Sequence, residues 1–206
     1  MLKILGRTNS INVQKVMWTV AELGLPHERT DMGGAFGGLD TPAYKAMNPN
    51  SRIPTIDDNG IIVWESNTVV RYLAARYSAG KLWPVDPAHR SEADRWMDWQ
   101  QTTIAPDMFP VFWGLVRTPP EKRDNAAIKA AGDKLGATWS LLDAHLAKRA
   151  FVAGNDFTMG DIPIGCAFWR YSKLEVAKPR LAHCDAWHNR LLERPGFRQH
   201  VAMPLS

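Results

Sequence analysis

Every stretch of this sequence that reads as a β-strand lies before Ser78, and beyond it only helical spacings recur. That asymmetry predicts a small α/β domain joined to a larger all-α domain. Leu2–Leu5 is short and apolar. Asn9, Ser10 and Asn12 then offer side chains that cap helices, and Val13, Val16, Met17, Val20 and Ala21 follow at helical spacing up to Gly24. Pro26–Met32 predicts a second strand, and Gly33–Gly38 a flexible loop. Thr41–Ala46 predicts a short helix that ends at Asn48-Pro49. Two apolar runs, Ile53–Ile56 and Ile61–Trp64, flank the turn Asp57-Asp58-Asn59-Gly60 and predict a hairpin. A third helix starts at Ser66, with Val69, Val70, Leu73 and Ala74 facing inward. Residues 1–77 therefore read βαβαββα.

Residues 78–87 form a turn-rich linker, and residues 88–206 an all-helical domain. His89–Gln101 carries Trp96 and Trp99, and Pro106 and Pro110 predict a kink or break after it. Glu121–Leu146 is one amphipathic run. Thr158–Tyr171 predicts a helix with Thr158 as N-cap, Asp161 at N3, and Phe157 and Ile162 as a hydrophobic staple. Pro163 in its second turn removes one backbone hydrogen bond. Arg180–Leu192 and Gly196–Met203 complete the domain.

Composition narrows the partners. The chain has 206 residues, 45% of them hydrophobic, enough for a core that needs no staples. Net charge is +4, but Lys and Arg are scattered and no basic stripe is interleaved with aromatics, so no nucleic-acid partner is expected. A mild positive balance suits an anionic small ligand. Cys166 and Cys184 make no CxxC and no zinc spacing, so no metal site is expected and a reducing cytoplasm fits. No signal peptide and no membrane span is evident.

Two features need a further explanation. A proline cannot donate a ladder hydrogen bond, yet Pro54 sits inside the first hairpin strand. The second strand runs straight into Glu65-Ser66. Taken alone, Pro54 is a trans proline on an edge strand, Ser66 an N-cap, and Glu65 a favourable charge near a helix start.

In their order and spacing, "NPNSRIPTID", "WESNTVVRYLA" and "FTMGDIPIGCAFWR" resemble the cytosolic glutathione transferases, and the likeness covers essentially the whole chain. It is closest in kind to bacterial, theta- or nu-like members of serine or asparagine type. The resemblance implies a thioredoxin-like first domain with Pro54 as its cis-proline. The backbone of Ile53 would pair with the cysteinyl backbone of glutathione. The Ser66 N–H and hydroxyl would hold the γ-glutamyl carboxylate, and Glu65 the γ-glutamyl ammonium. Arg52 stands where related enzymes aim a basic residue at the glycyl carboxylate; it is otherwise a solvated charge.

Glutathione chemistry needs a thiolate. The segment "GRTNSINVQK" contains neither Tyr nor Cys, a departure from the tyrosine- and cysteine-using classes. Ser10 is the first candidate donor to sulfur and Asn12 the second. One of the two is alternatively just the cap of the first helix, and Thr8, Asn9 or no donor at all are the remaining alternatives. The resemblance places an apolar electrophile between the domains, with Phe36, Trp96, Gln100, Met108, Phe112 and Trp113 as candidate walls. The same residues read equally as helix-packing residues. The implied activity is glutathione S-transfer to an electrophile, a detoxifying reaction of a cytoplasmic homodimer. Glutathione-dependent reduction of disulfides or peroxides is a variant, favoured if Asn12 holds the thiolate. Dehalogenation or isomerisation with glutathione as cofactor would use the same cleft. A non-catalytic interaction module is a further alternative, against which stand Ile53, Pro54, Glu65 and Ser66.

Overall fold

The computed structural model describes residues 1–205. Four strands, β1 (Leu2–Leu5), β2 (His27–Thr30), β3 (Thr55–Asp58) and β4 (Ile61–Trp64), form one sheet in the order β2-β1-β3-β4. Helix α1 (Ile11–Leu23) returns the chain across the sheet, so β2 runs parallel to β1. β3 and β4 are antiparallel neighbours.

The hairpin is tighter than the sequence suggests. Asp57 and Asp58 belong to β3, in register with Ile62 and Ile61, which leaves Asn59-Gly60 as a two-residue turn. Both have positive φ, 54° and 93°, as a type I′ turn requires. The Gly60 N–H donates to Asp57 Oδ1 at 2.7 Å. Pro54 precedes β3, so it takes no ladder position; the Ile53–Pro54 peptide bond is cis.

Helix α2 (Pro42–Met47) starts from Thr41, whose hydroxyl accepts the Tyr44 N–H. Helix α3 (Ser66–Tyr77) follows β4 directly. The remaining helices are α4 (Pro87–Trp99), α5 (Ala105–Phe112), α6 (Asn125–Leu146), α7 (Asp161–Lys173), α8 (Ala182–Leu192) and α9 (Pro195–His200). No helix among the described residues is long and apolar enough to cross a membrane.

Of the kink or break expected at Pro106 and Pro110, the break does not occur. Winding continues from Pro87 to Arg117 through two wide π segments, Gln100–Ile104 and Trp113–Arg117. The Ala105 N–H reaches back five residues to the Gln100 carbonyl. Widening a turn leaves a carbonyl uncommitted beside a proline that has no N–H to offer it.

Helix α7 begins two residues later than its capping pattern suggests, with Gly160 rather than Thr158 at the cap position. The Thr158 hydroxyl accepts from Gly160 N–H (3.3 Å), while Asp161 Oδ2 accepts the Thr158 N–H (3.0 Å). Asp161 Oδ1 also accepts from Val152 N–H and Trp187 Nε1, tying α7 to a neighbouring loop and to α8.

One apolar core joins the sheet to α1 and α3 through Ile4, Val13, Val16, Ile56, Val69 and Leu73. A second fills the helical part, with Trp139, Phe168, Trp187 and Ile162 among its members. Trp18 on α1 belongs to that second core and packs on Phe157 and Phe197 at 5.4 and 4.8 Å. α1 is therefore shared, which fixes how the helical part meets the edge of the cleft.

Candidate active site

Two helix N-termini, each carrying unpaired N–H groups and a partial positive charge, meet beside one cleft. At α1, Ser10 is the cap residue; its carbonyl accepts the Gln14 N–H at 2.9 Å, and its hydroxyl makes no capping bond. At α3, Glu65 takes the cap position with φ 66° and ψ 111°, a left-handed conformation that costs a non-glycine residue about 1–3 kcal/mol. That conformation leaves its carbonyl bonded to the Val69 N–H while its carboxylate lines the cleft.

The two ends are wired together. Ser66 Oγ donates to Asn12 Oδ1 at 3.2 Å. Lys15 Nζ donates to Ser66 Oγ (3.3 Å), Asn67 Oδ1 (3.1 Å) and Gln100 Oε1 (2.9 Å). Lys15 is 3% exposed, and burial pulls its ammonium down to about 8 despite those partners. Asn67 Nδ2 donates onward to the Met97 carbonyl at 2.8 Å. This polar chain crosses from the sheet-bearing part to the helical part.

The cleft encloses a cavity of about 280 Å³. Asn12, Lys15, Arg52, Glu65 and Ser66 face it from one side; Gln100, Met108, Phe109, Phe112 and Arg170 face it from the other. One wall is thus rich in charge and the other largely apolar, which suits a polar ligand lying against an apolar one. Arg52 is held at its backbone, where its carbonyl accepts from Tyr44 Oη (2.7 Å) and Asn48 Nδ2 (2.9 Å). Cys166 is buried near this wall, and burial pushes its thiol up to about 12, so it stays protonated at neutral pH.

Not every candidate residue reaches the cavity. Ser10, Ile53 and Pro54 are outside its wall. Phe36 is 59% exposed, at the end of a short 3-10 turn swung outward between positive-φ glycines. Trp96 is directed into the helical bundle, against Trp99 at 5.0 Å and His145 at 4.5 Å, because α6 packs on that face of α4. Trp113 is 53% exposed and stacks on Phe109 at 5.4 Å, where the second π segment begins.

Lys15 and Arg170 escaped the sequence reading. Lys15 falls within a helix whose residues Val13–Val20 are all buried, Gln14 and Thr19 included. The signal was polar residues on a helix with no solvent face, and a single apolar stripe does not reveal it. Arg170 reads as an ordinary cation near a helix C-terminus.

The comparisons agree with this geometry. The family description "Glutathione S-transferase, N-terminal domain" matches residues 9–76, and "Glutathione S-transferase, C-terminal domain" matches residues 104–195. The chain is 41% identical to Glutathione S-transferase GstB of Escherichia coli K12, with each covered over its full length. It is 27% identical to Glutathione S-transferase 3 of Zea mays, covering 98% of this chain and 93% of that one. A theta class glutathione S-transferase from Xanthomonas axonopodis pv. citri, solved with glutathione bound, superposes with a TM-score of 0.95 at 44% identity, covering 100% of this chain and 99% of that one. A thioredoxin-like sheet domain, a helical domain and paired helix N-termini at their cleft, matched along the whole sequence, make this chain a member of the glutathione S-transferase family.

Proposed function

We propose that this enzyme ionises the thiol of glutathione at the N-terminus of α1 and directs it at an electrophile lying against Met108 and Phe112. The observation that carries the reading is the Asn12–Ser66–Lys15 chain, which sets two positive helix ends and one buried ammonium around a single cavity. The γ-glutamyl carboxylate sits on the Ser66 N–H, because the one Ser66 hydroxyl proton is given to Asn12 Oδ1, with Lys15 beneath it, and Glu65 receives the γ-glutamyl ammonium. Arg52 meets the glycyl carboxylate. Ile53, ahead of Pro54, pairs its backbone with the cysteinyl residue as an added strand would.

Asn12 is the favoured donor to sulfur. Its Oδ1 is held by Ser66 and it forms part of the cavity wall, which leaves Nδ2 free to donate. Ser10, with a hydroxyl not used for capping, is the second candidate. A free thiol titrates near ~8.5, so a donor and a helix dipole together raise the thiolate fraction at pH 7. The thiolate then forms a bond to the electrophilic carbon, the leaving group departs with its electron pair, and the thiol proton goes to solvent. Proximity in the cleft supplies the rest of the acceleration. Because Asn12 is favoured, glutathione-dependent disulfide reduction is the second reading, separable by assaying a mixed disulfide beside an aryl halide.

The enzyme is further proposed to be a cytoplasmic, detoxifying homodimer, the sheet domain of one subunit packed on the helical domain of the other. Exposed Ile61 and Ile62 on the edge strand β4, exposed Phe109 and Trp113 beside α5, and the unpaired, buried Cys166 and Cys184 support this. Sedimentation at micromolar protein would give the dimer mass; a monomer mass overturns the arrangement.

Ultraviolet titration of bound glutathione tests the catalytic reading. The bound thiol is expected to ionise about one or more pH units below its free value in wild type, and Asn12→Ala to bring it most of the way back to the free value. Restoration by Ser10→Ala instead transfers the role to Ser10. No depression in wild type sinks the reading.

A further inference from the structure

Arg170 is a half-buried cation without a counter-charge. It lies in the last turn of α7, at the helical wall of the cleft. Other arginines have acidic partners: Arg71 pairs with Asp94 and Asp98, Arg76 with Asp58, and Arg194 with Glu22. The Arg170 side chain makes no hydrogen bond and no ion pair among the described residues. Its guanidinium carbon instead rests 4.1 Å over the Phe112 ring. Burial pulls it down to about 10, and the charges of Arg117 and Arg7 push the same way. Cys166, one turn earlier, could offset this only as a thiolate, and that thiol is held neutral by its own burial.

A buried charge is normally paired, because an unpaired one forfeits its hydration. Arg170 meets that expectation only if a ligand supplies the anion. Glutathione's two carboxylates are already placed, one at the α3 N-terminus and one toward Arg52. Its thiol belongs at the α1 N-terminus and needs a single donor. Resting over the Phe112 ring at the cavity wall leaves the guanidinium N–H groups to be presented to a ligand, and their fork matches a carboxylate bidentately.

We propose that Arg170 is the anion-recognising residue of the second-substrate site, and that the preferred electrophile carries a carboxylate on an apolar body packed against Met108 and Phe112. The proposal rests on the conjugating reading of the cleft given above. With an aryl chloride, the glutathione thiolate forms the C–S bond, chloride leaves with the bonding pair, and Arg170 holds the substrate carboxylate unchanged throughout.

The test compares 4-chloro-3,5-dinitrobenzoate with 4-chloro-3,5-dinitrobenzamide, nearly equal in shape and different in charge. Each kcat/KM is divided by the uncatalysed rate with glutathione. Wild type is expected to favour the benzoate about tenfold or more, chiefly through KM. Arg170→Met is expected to abolish that preference, and Arg170→Lys, which keeps charge but not the fork, to retain part of it. Far-ultraviolet dichroism and glutathione affinity check that the variants fold. No benzoate preference in wild type overturns the proposal. So does equal damage to both substrates in Arg170→Met together with a raised pKa of bound glutathione, which would assign Arg170 to the thiolate. Should wild type conjugate neither compound, the conjugating reading has failed, and calorimetry with unreactive 3,5-dinitrobenzoate on the glutathione-loaded enzyme decides the anion site separately. Binding lost in Arg170→Met supports it, and absent binding in wild type overturns it.

Discussion

Lys15 holds a positive charge where the protein can least hydrate it. Its three acceptors, Ser66, Asn67 and Gln100, keep it in place, yet burial brings its pKa down from 10.5 to about 8. Two opposite pH dependences follow. Between pH 8 and 10.5 the unfolded chain still holds a proton that the folded chain has released, so this residue's contribution to unfolding free energy rises with pH. Over the same range the charge beneath Ser66 disappears, so glutathione affinity is expected to fall. Calorimetric titration and thermal melts from pH 7 to 10 would separate the two; parallel trends would remove Lys15 from the site. Lys15→Met strands buried acceptors and is expected to cost about 1–3 kcal/mol of stability, with an affinity loss of about tenfold for glutathione.

Among the elements, α1 carries the most. One face packs on the sheet through Val13, Val16 and Val20, while Trp18 enters the helical core. Trp18 Nε1 donates to Glu22, and Glu22 takes two hydrogen bonds from Arg194, whose guanidinium carbon lies 3.8 Å over Phe157. Helix α7 approaches closely only because Gly165 has no side chain: a Cβ there would stand 2.8 Å from a Leu191 methyl carbon and 2.9 Å from the Trp18 ring. Gly165→Ala is expected to cost about 1–3 kcal/mol by overpacking, read as a lower urea midpoint with unchanged slope. A variant as stable as wild type would mean that the α1–α7 contact is loose. The π segments act at the same scale. They let the helix pass Pro106 and Pro110, so that Met108 and Phe112 face the cavity while Trp113 turns outward.

Across the whole molecule, stability and acidity are coupled through groups far from the cleft. His188 sits among Phe168, Trp169 and Phe197, and burial, with a smaller push from Lys173, lowers it from 6.5 to about 4. The neutral ring's contribution is full above the unfolded value and is lost as pH falls from 6.5 toward 4. Asp161, raised by burial to about 6, slopes the other way: its contribution is full below 3.8 and is lost as pH rises through 6. His188→Phe is therefore expected to remove the acid decline of Tm and to uncover the opposite slope of Asp161. Melting curves from pH 4 to 7 would show this; an unchanged acid decline would mean that other groups govern it.

Much of the architecture was legible because it follows from local chemistry. The apolar runs, Gly24, a turn at Asp57–Gly60 and the run of helices after Ser78 follow from period and φ preference, whereas the narrowing of that turn to Asn59-Gly60 came from the register of β3 and β4. Motif order pointed to Glu65 and Ser66 because a helix N-terminus needs only neighbours in sequence. What failed to show were facts about burial. A sequence does not say that Lys15 has no solvent face, that Arg170 has no acid beside it, or that Trp96 meets α6 rather than the cleft. Aromatic residues on an amphipathic helix fit a core and a pocket equally well, so Phe36, Trp96 and Trp113 could not be sorted from Met108 and Phe112 by composition. By itself the sequence determined the two-part plan and the helix ends that can bind an anion, since both arise from interactions within a few residues. Only the tertiary structure decided which charges face the cavity and which of them are left without partners, because desolvation depends on what distant segments bring against a side chain.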